Sequence, residues 1–235
     1  MLKIERLTKT YGAKKAVDDL SLHIQAGEIC GFIGHNGAGK TTTIKAVCGI
    51  LPFDSGEIYV DGISVKENPL EVKRRIAYLP DNPNLYEFLS GIKYLNFIAD
   101  VFSVGKTERE ERIAKYADMF ELTPALAQSI SSYSHGMKQK LALISALMHE
   151  PKLLLLDEPF VGLDPKASHL LKIEMRELCR QGSAIFFSTH VLEVAEKLCD
   201  KIAIIKNGKL IRAGETEEVR GDTSLEDVFL ELAEE

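Results

Sequence analysis

The sequence predicts an α/β fold with a mostly parallel core sheet, an N-terminal antiparallel β subdomain and a helical insertion. Three observations carry that prediction. An apolar strand, a glycine-rich turn and a helix-compatible run follow one another from Glu28 to Val47, EICGFIGHNGAGKTTTIKAV. Leu153 to Leu156 and Ala184 to Ser188 are apolar without alternation, as parallel strands buried on both faces are. The first segment alternates at the period of a strand, whereas apolar residues recur at helical spacing from about Glu87 to Glu150.

A chain of 235 residues suits one domain, or one domain with an insertion. The expected partition is a core and β lobe over 1–86 and 151–220, a helical subdomain over 87–150, and a C-terminal helix over 221–235. A hydrophobic share of 45% with 27% charged residues is that of a globular protein, and a net charge of -6 argues against a nucleic-acid partner. The start, MLKIERLTKTYG, lacks the apolar core of a signal peptide. No window approaches the ~18 apolar residues of a membrane span, so any membrane link is expected through a partner. Cys30, Cys48, Cys179 and Cys199 form no C-x-x-C pair and read as buried free thiols in a reducing compartment.

In chain order, Leu2, Ile4 and Leu7 and then Leu20, Leu22 and Ile24 predict two strands, paired antiparallel. Tyr11, before Gly12, is placed either to stack on a base or to pack in the core, and spacing alone favours the core. Gly34, Gly39, Lys40 and Thr41 fill the G-x-x-x-x-G-K-[ST] pattern of a P-loop, in the strand-before, helix-after setting it requires. Glycines at 34, 37 and 39 allow successive N–H groups to turn inward on a phosphate at a helix N-terminus. Lys40 adds a point charge, and Thr41 a hydroxyl for Mg2+. The rival reading, a glycine-rich turn with a chance Lys-Thr, leaves the complete pattern unexplained.

EIYVDG predicts a further strand, and Ile76 to Leu79 a short buried one before the two-proline loop Pro80 to Asn84. In the insertion, Tyr94, Phe97, Ile98 and Val101 mark one helical face and Ile113, Tyr116, Ala117 and Phe120 another. Loops are expected at Ser103 to Thr107 and Ser129 to Met137, the second opening a helix from Leu141 to Met148. That helix start suits an anion, or is an ordinary serine cap.

The strand Leu153 to Leu156 ends at Asp157-Glu158-Pro159. After a P-loop, an apolar strand ending in Asp is the second half of a P-loop NTPase site. Asp157 is placed to support Mg2+, and Glu158, one residue nearer the mouth, to orient or deprotonate the water attacking a γ-phosphate. His190 sits at the end of the next strand, where it either contacts that phosphate or is simply hydrogen-bonded. Ile202 to Ile205 and Leu210 to Ala213, joined by Asn207-Gly208, read as a hairpin. Thr223 opens a capping box ahead of an amphipathic helix carrying Leu225, Val228, Phe229 and Leu232.

Taken together and in this order, the motifs resemble the ATP-binding subunit of ABC transporters over essentially the whole chain. GHNGAGKTT, residues Gly34 to Thr42 with Asn36, Gly37 and Ala38, is similar to Walker A, and LLLLDEP to Walker B with the catalytic glutamate. Phe160 to Asp164 is similar to the D-loop, Ser188-Thr189-His190 to the switch histidine, and Tyr11 to the adenine-stacking aromatic. Tyr133 to Met137 falls where the family has its LSGGQ signature. The resemblance implies an ATPase using ATP and Mg2+, with Lys40, Glu158 and His190 catalytic and Thr41, Asp81 and Asp157 at the metal. It implies a head-to-tail homodimer or heterodimer with a second ATPase subunit, in which Ser134 and Gly136 serve the partner's nucleotide, and it places Asp164, in the D-loop-like segment, among the nucleotide-binding residues. It also implies a separate transmembrane permease docked on the helical insertion, at the cytoplasmic face of the cell membrane. The ending SLEDVFLEL and the signature resemble the ABC-2 exporter branch. Asp81 stands where most members have a glutamine, and His135 and Met137 replace a glycine and a glutamine. A soluble ABC-type machine is the alternative, but it usually carries two fused cassettes, a coiled coil or a basic surface. A GTPase reading lacks an N-K-x-D motif.

Overall fold

Leu2, Ile4 and Leu7 cannot all face one side of a regular strand, because the pleat has a period of two. The chain solves this with a bulge. In the computed structural model, which describes residues 1–234, Arg6 adopts φ 48° and the register slips between Ile4 and Leu7, so all three leucine and isoleucine side chains are buried. This strand, β1 (Leu2–Tyr11), pairs antiparallel with β2 (Lys14–Ile24), where Asp19 at φ 54° likewise turns Leu20 inward. Next come β3 (Ile29–Ile33), α1 (Lys40–Val47), β4 (Ser55–Val60) and β5 (Ile63–Ser64). The lobe sheet runs β2-β1-β4-β5, antiparallel throughout, as the alternation predicts.

A short helix, α2 (Pro69–Arg75), leads into β6 (Ile76–Leu79). Three helices follow, α3 (Gly91–Val101), α4 (Lys106–Met119) and α5 (His135–Leu147), with two 3-10 turns between the last two. The expected loops are shorter than the sequence indicates: α4 starts at Lys106, inside the 103–107 loop, and α5 at His135, inside the 129–137 loop. Ser134 accounts for the second difference, since its hydroxyl accepts the Met137 N–H and starts the helix six residues before Leu141. The α3 face also differs. Tyr94, Leu95 and Ala99 are buried, while Phe97 and Val101 point outward, Phe97 edge-on to Tyr86 beside Phe88.

The remaining elements are β7 (Leu153–Asp157), α6 (Pro165–Arg180), β8 (Ala184–Thr189), α7 (Leu192–Leu198), β9 (Lys201–Lys206), β10 (Lys209–Glu215), α8 (Thr216–Arg220) and α9 (Leu225–Glu234). The main sheet runs β10-β9-β3-β8-β7-β6, parallel except for the edge strand β10. Asn207 and Gly208, at φ 51° and 81°, make the mirror-image turn that such a hairpin favours. Every residue of β3, β7 and β8 is buried, so the unalternating runs do mark central strands. The capping box of α9 sits one residue later than the sequence indicates. Ser224 and Asp227 exchange the reciprocal bonds, whereas the Thr223 hydroxyl donates to the Arg220 carbonyl.

His149, just beyond α5, stacks face to face on Phe102 at 3.6 Å, and its Nδ1 is buried without a partner among the described residues. Burial, with Arg112 close by, pushes its pKa down to about 4. The unfolded chain, at ~6.5, therefore takes up a proton that the folded one refuses. Stability should fall as pH drops from about 6.5 to about 4, and His149→Leu should flatten that slope. Urea midpoints across this range, parallel for both proteins, would contradict it.

Candidate active site

The phosphate-binding turn is built where β3 passes into α1. Gly39, at φ 114°, is forced to be glycine twice over: a Cβ there would lie 2.4 Å from the Ala16 carbonyl oxygen. The same close approach ties the loop to β2 and to the β9–β10 turn, whose Gly208 N–H donates to the Ala38 carbonyl at 2.9 Å. No side chain caps α1, and its first turn carries no acid. Its N–H groups are thus left for an external anion, which the helix dipole favours.

Lys40 begins α1 and is 7% exposed. Its Nζ donates to the carbonyls of Gly34 (2.6 Å) and His35 (3.3 Å) and lies 4.0 Å from Glu158 Oε1. Burial draws the ammonium below its usual pKa, while the Glu158 and Asp157 carboxylates pull it back up. The Thr41 hydroxyl donates to Asp157 Oδ2 at 2.7 Å, and the Ser188 hydroxyl donates to Asp157 Oδ1. Ser188 also fixes the next residue, because the Glu158 N–H donates to its hydroxyl (3.1 Å) and carbonyl (3.2 Å). Glu158 leaves the strand at φ 50°, which turns its carboxylate away from the sheet register and toward His190, 2.9 Å from Nδ1 to Oε2.

Around these groups lies a cavity of about 350 Å3 lined by Tyr11, Lys14, Ala16, His35, Asn36, Gly37, Gly39, Lys40, Thr41, Thr42, Asp81, Asp157 and Glu158. Tyr11 corrects the core-packing expectation: it ends β1 with 52% of its surface exposed and its ring beside the cavity, Lys9 Nζ 5.3 Å from the centroid. Lys14 and Ala16 carry no sequence signal, while His35 and Ser188 lie inside the GHNGAGKTT and Ser188-Thr189-His190 motifs without a role assigned there. Ser188 is the more readable of the two, the first hydroxyl after the apolar run of β8. Among the described residues no cluster of three His, Cys, Asp or Glu side chains could hold a metal unaided. The oxygen donors present, Thr41 and Asp157, fit a small hard cation that takes its other ligands from phosphate and water.

Gly34 and Ala38 shape the loop from behind, and His190 joins the site through Glu158. Ser134, Gly136 and Asp164 do not line this cavity. Ser134 caps α5, Gly136 packs against the Gly162 carbonyl, and Asp164 caps α6 through the Ala167 N–H at 2.8 Å. The Lys140 ammonium, 2.7 Å away, and that N–H hold the Asp164 carboxyl below the usual carboxylate range.

Known proteins match this arrangement along the whole chain. Residues 17–161 fit the family described as ABC transporter. The ABC-type transporter ATP-binding protein EcsA of Bacillus subtilis is 34% identical over 240 residues, covering 100% of this chain and 97% of the relative. A solved structure described as the ATP binding subunit of an ABC transporter superposes with a TM-score of 0.96 at 34% identity, covering 99% of both chains. A dimeric ATP-binding cassette in a post-hydrolysis state, bound to ADP and Pi, shares the fold at TM-score 0.85 and 24% identity, over 92% of this chain and 99% of that one. The chain therefore belongs to the ABC transporter family, as an ATP-binding subunit and an ATPase.

Proposed function

We propose that two such subunits close head to tail on two ATP molecules and drive a separate membrane permease, in the direction of export as in the ABC-2 branch. The observation that carries this is the division of the site. Lys40, Thr41, Asp157 and Glu158 converge on one cavity, while Ser134 and Gly136 stand at the N-terminus of α5, outside it. A helix start with free N–H groups and no acid in its first turn is complementary to a phosphate that another copy brings. The dimeric state of the post-hydrolysis neighbour supports the same pairing.

In this reading the nest of Gly37 and Gly39, with Asn36, Thr42 and Lys40, holds the phosphates, and Tyr11 stacks on the base. Thr41, Asp157 and Asp81 would hold Mg2+, which would supply charge neutralisation at the phosphates. Glu158 takes the proton of the attacking water, and His190, with Nδ1 2.9 Å from Glu158 Oε2, keeps that carboxylate aimed. Asp164, as the D-loop acid, serves the partner's nucleotide. The chain divides into a core and β lobe over 1–86 and 151–220, a helical subdomain over 87–150 that docks on the permease, and a C-terminal segment from 221 that carries α9. Among the described residues no helix is long and apolar enough to cross a membrane; in this reading the permease holds the subunit at the cytoplasmic face.

Ser134→Arg tests the pairing, because it puts a bulky cation where the partner's phosphate would lie without touching the chain's own cavity. One nucleotide should still bind with parental affinity, and turnover should be largely lost. A folded Ser134→Arg protein hydrolysing ATP at the parental rate would sink the shared site.

A further inference from the structure

The ending SLEDVFLEL forms the helix α9, anchored to α7 at its start and to β9 near its end, with one side chain against the phosphate loop. At its start, the α9 Leu225 N–H donates to Glu196 Oε2 on α7 at 3.0 Å, and the reciprocal Ser224–Asp227 bonds close its first turn. Leu225 and Val228 are buried. Near its end, Lys206 Nζ on β9 donates to the Leu232 carbonyl at 3.0 Å, a cation at the negative pole of the helix. Between these anchors Phe229 meets the His35 ring, with centroids 4.7 Å apart and planes tilted by 52°.

His35 is the second residue of the phosphate loop, and it faces two ways. It lines the nucleotide cavity on one side and, with Phe229, Ile205 and Leu232, a small apolar pocket on the other. Its carbonyl accepts both the Ala38 N–H at 3.1 Å and the Lys40 ammonium at 3.3 Å. A displaced His35 would therefore carry with it the turn that aims the loop N–H groups and one of the two carbonyls that place Lys40.

We propose that Phe229 is a positioning residue for ATP: from the C-terminal helix it braces His35 and so holds the phosphate loop in its binding shape. This rests on reading the loop cavity as the phosphate site. Equilibrium ATP binding, measured well below the unfolding midpoint, should show Phe229→Ala weakened by about 3- to 10-fold, the range of a lost aromatic contact. Phe229→Tyr, which keeps the ring, should bind as the parent does. His35→Ala combined with Phe229→Ala should bind no more weakly than the weaker single variant, as coupled neighbours do. A purely structural role would lower the unfolding midpoint and leave affinity unmoved. Parental affinity in Phe229→Ala, or single effects that multiply in the double variant, would overturn the proposal. Should Phe229→Ala fail to fold, Phe229→Leu, which keeps apolar bulk and loses the ring, carries the same comparison. A parent that did not bind ATP would instead refute the nucleotide reading itself.

Discussion

Glu158→Gln is expected to bind ATP normally, lose ~100- to 10,000-fold in turnover, and accumulate as a closed dimer. The amide has the shape of the carboxylate and can keep the contact with His190 Nδ1, 2.9 Å away in the parent. What it lacks is a basic oxygen for the proton of the attacking water. The backbone that presents it is held independently by Ser188, so the substitution alters chemistry and leaves geometry in place. A pair that binds ATP and cannot cleave it stays in the state that the ligand stabilises. Light scattering with Mg-ATP should report a dimer for Glu158→Gln, and ADP should return it toward monomer. A variant that remains monomeric at saturating ATP would count against the mechanism, once pairing with a different ATPase chain had been excluded.

Lys40→Ala is expected to reduce both affinity and turnover. Losing a charge-assisted contact weakens binding by roughly 10- to 100-fold, and losing a cation aimed at developing phosphate charge costs about as much again in rate. The structure adds a second cost. With Lys40 gone, the Gly34 carbonyl loses the ammonium and the His35 carbonyl keeps only the Ala38 N–H, while Glu158 and Asp157 lose the cation that offsets their mutual repulsion. Calorimetric ATP affinity within twofold of the parent would contradict this account.

The catalytic half of the site was legible because its chemistry leaves marks that packing does not. A loop needing glycine at 39 against the Ala16 carbonyl cannot be disguised, and strands buried on both faces, such as Leu153 to Leu156, lose alternation. The misreadings arise where two local solutions compete. Tyr11 falls at a strand end, where burial no longer follows alternation. Thr223 and Ser224 can each cap a helix, and tertiary contact through Glu196 selects the second. Phe97 and Val101 are apolar yet outward, so period alone placed the buried face of α3 one step off. The helix α6 leaves its own signal, with Asp164-Pro165 a strong starter and Leu171, Met175 and Leu178 along its inner side, but that signal merges with the motif that precedes it.

The contact between α5 and the turn before α6 has a consequence for how two such chains keep time. A Cβ on Gly162 would lie 2.8 Å from the His135 ring, the Gly136 backbone abuts the Gly162 carbonyl, and Lys140 grips Asp164. Within one chain, the N-terminus of α5 and the turn running on from Glu158 are therefore packed together. In the head-to-tail pair proposed above, that joint would work like the shared axle of two wheels: loading one nucleotide would turn the piece that readies the other. Firing would then be sequential or concerted but never independent, and a mixed pair with one silent chain would stall both.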